Sequence, residues 1–135
     1  MAIRSRILGG TVRVSCLGDG RLVAVCDRIC RRGEGIGGEH SNWLWFSNDG
    51  GDTWSALEAA PVVGIVPDQL IELRHGKHAG RWLLTTRLPP VETPLWTVRT
   101  WLSDDQGATW QGPCRSAEVP GLQLCEPTVV CQRAN

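Results

Sequence analysis

The sequence predicts an all-β protein built from tandem four-stranded units, and three observations lead to this prediction. In the segment before the first octapeptide, Trp43, Trp45 and Ser47 alternate with Leu44 and Phe46 at the period of two that is typical of a strand. An octapeptide of the form S-x-D-x-G-x-T-W occurs twice, at Ser47–Trp54 and again 56 positions later at Ser103–Trp110. No stretch carries the i, i+3, i+4 apolar spacing of a long amphipathic helix.

The repeated octapeptide has the chemistry of a hairpin turn. Its Asp can accept hydrogen bonds from the backbone N–H groups of the turn that it opens, and its Gly supplies the positive φ that closes a hairpin. Its Trp begins the return strand and can fold its indole over the turn. We therefore expect a structural rather than a catalytic role at eight positions: Ser47, Asp49, Gly51, Trp54, Ser103, Asp105, Gly107 and Trp110.

Turn signals divide each unit into four expected strands. In the first unit, about residues 7–62, these are Thr11–Leu17, Leu22–Cys26, Asn42–Phe46 and Ala56–Val62. In the second unit, about residues 63–119, they are Gln69–Leu73, Arg81–Thr86, Leu95–Leu102 and Ser116–Val119. Residues 120–135 are expected to begin a third unit with a strand at Leu122–Val130.

Tandem four-stranded antiparallel units are typical of the blades of a β-propeller. Propellers generally close with four to eight blades, and two blades with one further strand would leave apolar faces and strand edges exposed. The sequence therefore predicts either a piece of a longer protein or a ring that several copies complete. Three copies would supply six blades.

Composition and charge exclude several classes of function. The 14 Lys and Arg residues balance 14 Asp and Glu residues without a basic cluster, so we expect neither a nucleic acid nor a membrane surface as partner. No apolar run approaches the roughly 20 residues of a membrane span. Met1–Gly10 lacks the apolar core of a secretory signal, which predicts a cytoplasmic protein, or a secreted one if the chain is a fragment.

The six cysteines do not form a metal-binding pattern. No two of them have CxxC spacing, and their intervals match no zinc framework, so no metal and no cofactor are expected. Four of them lie in apolar, strand-like stretches, where the sequence predicts small buried side chains: Cys16, Cys26, Cys125 and Cys131.

The octapeptide resembles the Asp-box of the bacterial neuraminidase repeat, and the chain resembles six-bladed sialidase-like β-propellers over most of its length. The resemblance implies a glycoside hydrolase in which arginines grip the substrate carboxylate and an Asp is the acid/base. It also implies a Tyr nucleophile that a Glu activates. This chain has no Tyr, and Gly10-Thr11-Val12 stands where the family has Arg-Ile-Pro.

Individual positions follow from that resemblance. Glu126, in Leu124–Val130, matches the Glu that activates the nucleophile, and Arg28 and Arg87 match strand-ending arginines that bind the sugar. The segment 31–40 stands where the family carries its acid/base Asp. There this chain offers Glu34 and Glu39 as the candidate acids, beside His40.

Two functions remain open at this point. The first is a sialidase-like glycosidase, or a fragment of one, that acts on a glycan. The second is a non-catalytic propeller module that binds a glycan or a protein, or assembles with its own copies into a closed ring. The missing Tyr favours the module, whereas the Glu-Pro segment and the strand-ending arginines favour the enzyme.

Overall fold

The chain forms two four-stranded antiparallel sheets. The computed structural model describes residues 12–27, 41–88, 95–117 and 119–130, and no helix occurs among them. The prediction of an all-β protein with four-stranded units is confirmed. The first sheet contains β1 (Val12–Cys16), β2 (Leu22–Asp27), β3 (Ser41–Ser47) and β4 (Glu58–Val63), in that order. The second contains β5 (Ile71–Glu72), β6 (Trp82–Leu88), β7 (Thr97–Ser103) and β8 (Gln111–Ala117), again in chain order.

The strand register shows that the two sheets are copies of each other. Leu22 lies opposite Ser47 in the first sheet, and Trp82 lies opposite Ser103 in the second. Equivalent residues are therefore 60 positions apart between β2 and β6, and 56 apart between β3 and β7. Since neighbouring strands run antiparallel, both octapeptides fall at one end of the sheets, which we call the octapeptide end. Asp27 and Arg87, near the C-terminal ends of β2 and β6, mark the opposite end.

The two sheets pack face to face around one hydrophobic core. Val23, Val25 and Leu44 of the first sheet belong to the same buried cluster as Trp82 and Leu84 of the second. The ring centroids of Phe46 and Trp82 lie 6.0 Å apart across this interface. The cluster also contains Leu17, Ala60, Val62, Leu70 and Trp101. Apolar burial between the sheets therefore holds the two units together.

The last strand of the second sheet begins earlier than predicted. β8 covers Gln111–Ala117, whereas the sequence predicted Ser116–Val119. Gly112 and Pro113 are residue types that usually interrupt strands. However, β8 is an edge strand, and its pairing with β7 shifts register between Thr100 and Leu102. Edge strands and bulges tolerate both residue types, and so the strand starts directly after the octapeptide.

The segment Leu122–Val130 forms no strand, contrary to the prediction. These residues lie 60 positions after residues 62–70, which contain the end of β4 and the connection that leads to β5. The prediction took the connection for the strand because both are rich in apolar residues. By the same offset, the first strand of a third unit would begin at Cys131, which lies outside the described residues.

The prediction of buried cysteines is correct for Cys26 and wrong for Cys16 and Cys125. Cys26 is 2% exposed, between two neighbouring strands. Cys16 is exposed because β1 is the edge of its sheet, and Cys125 is exposed because its segment joins no sheet. All the described cysteines are free thiols, and Cys131 lies outside the described residues.

Candidate functional site

The two octapeptides form the same hydrogen-bond network. In the first copy, the Ser47 hydroxyl donates to Asp49 Oδ1 at 2.8 Å and accepts from the Gly51 N–H at 2.9 Å. Asp49 also accepts from the backbone N–H of Thr53 at 2.9 Å and from its hydroxyl at 2.5 Å. The indole N–H of Trp54 donates to the Gly51 carbonyl at 3.1 Å. The five equivalent bonds of the second copy agree with these within 0.1 Å.

These hydrogen bonds occupy the carboxylates of the two turns. Donation from Thr53 and Ser47 lowers the pKa of Asp49 from 3.8 to about 2. The equivalent donors, Thr109 first, also lower the pKa of Asp105. Each aspartate is thus held in its charged form as an acceptor for its own turn, which is a structural role.

A strained connection lies at the opposite end of the first sheet. Val66 has a φ of +50°, a conformation that is a genuine outlier for a β-branched residue. Its N–H donates to Asp27 Oδ2 at 2.9 Å, and Asp27 is only 3% exposed. The neighbouring Ile65 exchanges two backbone hydrogen bonds of 2.9 Å with Arg87. Asp27 therefore fixes the strained residue, and the connection fixes the end of β6.

Arg87 lies at this end with its guanidinium stacked on an aromatic ring. Its Cζ lies 4.0 Å from the ring centroid of Trp96. Its Nε is buried and has no hydrogen-bond partner among the residues that the structure describes. Within the described part of the chain Arg87 forms no ion pair. A buried donor without an acceptor costs free energy, so the end of β6 presents an arginine whose requirement for an acceptor is unmet.

Glu126 lies in the segment that follows β8. It is exposed and has a φ of +48°, directly before Pro127. The segment is anchored to the second unit, because the Val129 N–H donates to Asp68 Oδ2 at 2.7 Å. The Asp68 N–H in turn donates to the Thr85 carbonyl of β6 at 2.9 Å. Glu126 and Arg87 make no ion pair with each other.

A groove of about 550 Å³ lies between the first strands of the two sheets and the last described residues, and neither Arg87 nor Glu126 lines it. It is lined by Ser15 and Cys16 of β1, by residues in and around β5, and by Val129 and Val130. The Ser15 hydroxyl donates to the Leu70 carbonyl at 2.6 Å and ties β1 to the approach of β5. The first strands of both units and the last described residues therefore share one groove.

Two predicted site residues, Arg87 and Glu126, lie among the described residues. Asp27 and Trp96, which contact Val66 and Arg87, were not predicted. The equivalence of Asp27 and Arg87 follows only from the strand register, because the octapeptide offset of 56 positions would pair Asp27 with Leu83. No sequence signal marks Trp96, since its role depends on contact with Arg87 across a loop. Three predicted site residues lie outside the described residues: Arg28, Glu34 and Glu39.

The described residues hold no group of three or more His, Cys, Asp or Glu side chains that could bind a metal ion. No helix among them is long and apolar enough to cross a membrane. A comparison of the whole sequence with known protein families finds no match.

Proposed function

We propose that this chain is part of a sialidase-like β-propeller that binds an acidic glycan at the end opposite the octapeptides. The observation that carries the proposal is Arg87, whose buried Nε has no acceptor. A guanidinium pairs with carboxylates through charge-assisted hydrogen bonds, which are about twice as strong as neutral ones. Sialic acids are among the sugars that carry such a carboxylate on a pyranose ring, and the resemblance of the octapeptides favours them over uronic acids.

The Trp96 ring supports a binding role for Arg87. Stacking on Trp96 covers the face of the guanidinium and leaves its edge, where the N–H groups lie, uncovered by that ring. An arginine that served only to stabilise the fold would be expected to pair with a carboxylate of the protein. The propeller part of the proposal rests on the two equivalent sheets, on their repeated turns and on the groove that their first strands share.

Hydrolysis requires more than this chain supplies. In the hydrolase hypothesis Glu126 is the base that activates a nucleophile, but the sequence contains no Tyr. If the protein is a hydrolase, the nucleophile must come from a further four-stranded unit or from another copy of the chain. Replacement of Glu126 by Ala should then abolish release of methylumbelliferone from a fluorogenic sialoside and leave sialoside affinity within about twofold.

Binding itself is tested by calorimetry with 3′-sialyllactose, with lactose as the neutral control. Arg87→Gln should weaken binding about 10- to 100-fold, because charged hydrogen bonds are lost. Arg13→Gln is the matched control, since Arg13 is an exposed arginine on β1. Equal affinity of the two variants, or no binding by the unaltered chain, would contradict the proposal.

A non-catalytic module that assembles with its own copies is the second candidate, and the packing of the sheets favours it. Val23 and Phe46 are register partners, and both pack into the core between the sheets. Their equivalents in the second sheet, Leu83 and Leu102, are also register partners but lie on its outer face. The second sheet therefore presents outward the face that the first sheet buries, which suits head-to-tail addition of another unit.

A further inference from the structure

Both units contain the same strained turn at the end opposite the octapeptides. Val66 has a φ of +50° and Glu126 a φ of +48°, and each directly precedes a proline. The two residues are 60 positions apart, as are equivalent residues of β2 and β6. The turn at Val66 is stabilised by a side chain of β2, because the Val66 N–H donates to the Asp27 carboxylate at 2.9 Å.

The register identifies the residue that takes the place of Asp27 in the second unit. Asp27 is five residues after Leu22, and Arg87 is five residues after Trp82, the equivalent of Leu22. Arg87 therefore occupies, relative to the turn at Glu126, the register position that Asp27 occupies relative to the turn at Val66. An acceptor in the first unit is replaced by a donor in the second.

This exchange leaves the turn at Glu126 without the acceptor that Asp27 supplies to the turn at Val66. The Arg87 Nε is buried and unpartnered, and no described residue accepts from the Glu126 N–H. We propose that a carboxylate of the ligand takes the place that the Asp27 carboxylate takes in the first unit, and accepts from both Arg87 and the Glu126 main chain. The inference rests on the proposed function, and it gives Glu126 a binding role through its N–H that is independent of its side chain.

The inference is tested by NMR titration of the ¹⁵N-labelled chain with the methyl α-glycoside of N-acetylneuraminic acid. The Glu126 amide proton and the Arg87 Nε proton should both move downfield, and the methyl ester of the same sugar should move neither. A shift at Arg87 without one at Glu126 would overturn the inference and leave the proposed function standing. If the acid did not bind at all, the inference and the proposed function would both be contradicted.

A double variant, Arg87→Asp with Glu126→Val, gives the second turn the same two residue types as the first, an Asp on the strand and a Val in the turn. The new carboxylate should accept from the N–H of residue 126, so the double variant should melt no lower than Glu126→Val alone. It should bind the sugar about 10- to 100-fold more weakly than that single variant, which keeps both donors. A lower melting temperature than the single variant would show that the two turns are not equivalent. Equal loss of binding in both variants would show that the Glu126 side chain, not its N–H, makes the contact.

Discussion

At the scale of single residues, the octapeptide aspartates make a testable contribution to acid stability. The folded pKa of Asp49, about 2, lies below its ordinary value of 3.8 because Thr53 and Ser47 donate to the charged form. The unfolded chain therefore binds a proton first as the pH falls, and the stabilisation, complete above about pH 4, is lost as the pH falls through about 2.

We expect Asp49→Asn to lower the melting temperature by several degrees at pH 7, and the difference from the unaltered chain to shrink between pH 4 and pH 2. Circular dichroism melts across this range provide the measurement. Asp52→Asn is the matched control, because Asp52 is an exposed carboxylate in the same turn. A difference that stays constant with pH would show that the Asp49 charge is not what stabilises the turn.

The residues of the octapeptide could be interpreted from sequence because their partners lie within four positions of one another. The residues of the opposite end could not. Asp27 meets Val66 across 39 positions, and Arg87 meets Trp96 only when a loop returns the chain to the start of β7. A local sequence pattern predicts contacts within the octapeptide, but it does not predict contacts between residues on different strands.

At the scale of elements, the connection between the sheets depends on a glycine. Gly64 has a φ of +126°, and a Cβ at this position would lie 2.9 Å from the Arg87 carbonyl and collide with Thr86. Thr86 is fully buried and donates from its hydroxyl to the Val63 carbonyl at 2.7 Å. The close approach of β4 to β6 therefore requires the absence of a side chain.

Gly64→Ala should destabilise the fold by about 1–3 kcal/mol, because the end of β6 that carries Arg87 must shift. If the proposed function holds, it should also weaken sialoside binding. Urea unfolding and calorimetry measure the two effects. Gly20→Ala is the matched control: it also has a positive φ, of +90°, but a Cβ there meets nothing within 4 Å. Equal loss of stability in the two variants would mean that backbone strain, not the contact with β6, explains the effect.

The boundaries of the elements show where sequence patterns fail. The alternation of apolar residues located β2 and β3 within one or two residues, since these central strands have a buried face. It failed at β8, where an edge strand accommodates Gly112 and Pro113, and at Leu122–Val130, where an apolar connection resembles a strand.

For the whole molecule, the outer face of the second sheet leads us to predict that copies of the chain assemble with one another. Val12 and Val14 on the outer face of the first sheet are 54% and 50% exposed, and Leu83 and Leu102 lie on the outer face of the second. Because the two outer faces are the two halves of the interface within the chain, copies can stack in the same head-to-tail sense. Such contacts close into a ring if the rotation between units permits it.

Light scattering on a sizing column tests this assembly. We expect a species of three chains, each of 14.8 kDa, which would provide six sheets around one axis. Leu102→Lys should dissociate it, and Asn48→Lys, a matched change at an exposed turn position, should leave it intact. A stable monomer would contradict assembly from copies and would assign the further units to a longer polypeptide.

Local sequence patterns were sufficient to predict the all-β class, the two equivalent units and the chemistry of their turns, since each of these depends on residues close together in the chain. The contacts at the opposite end could be seen only in the folded molecule. There the packing of one sheet on the next brings Val66 to Asp27 and leaves the Arg87 Nε without an acceptor among the described residues. These contacts join segments that are distant in sequence, and burial between the sheets, rather than local preference, brings them together.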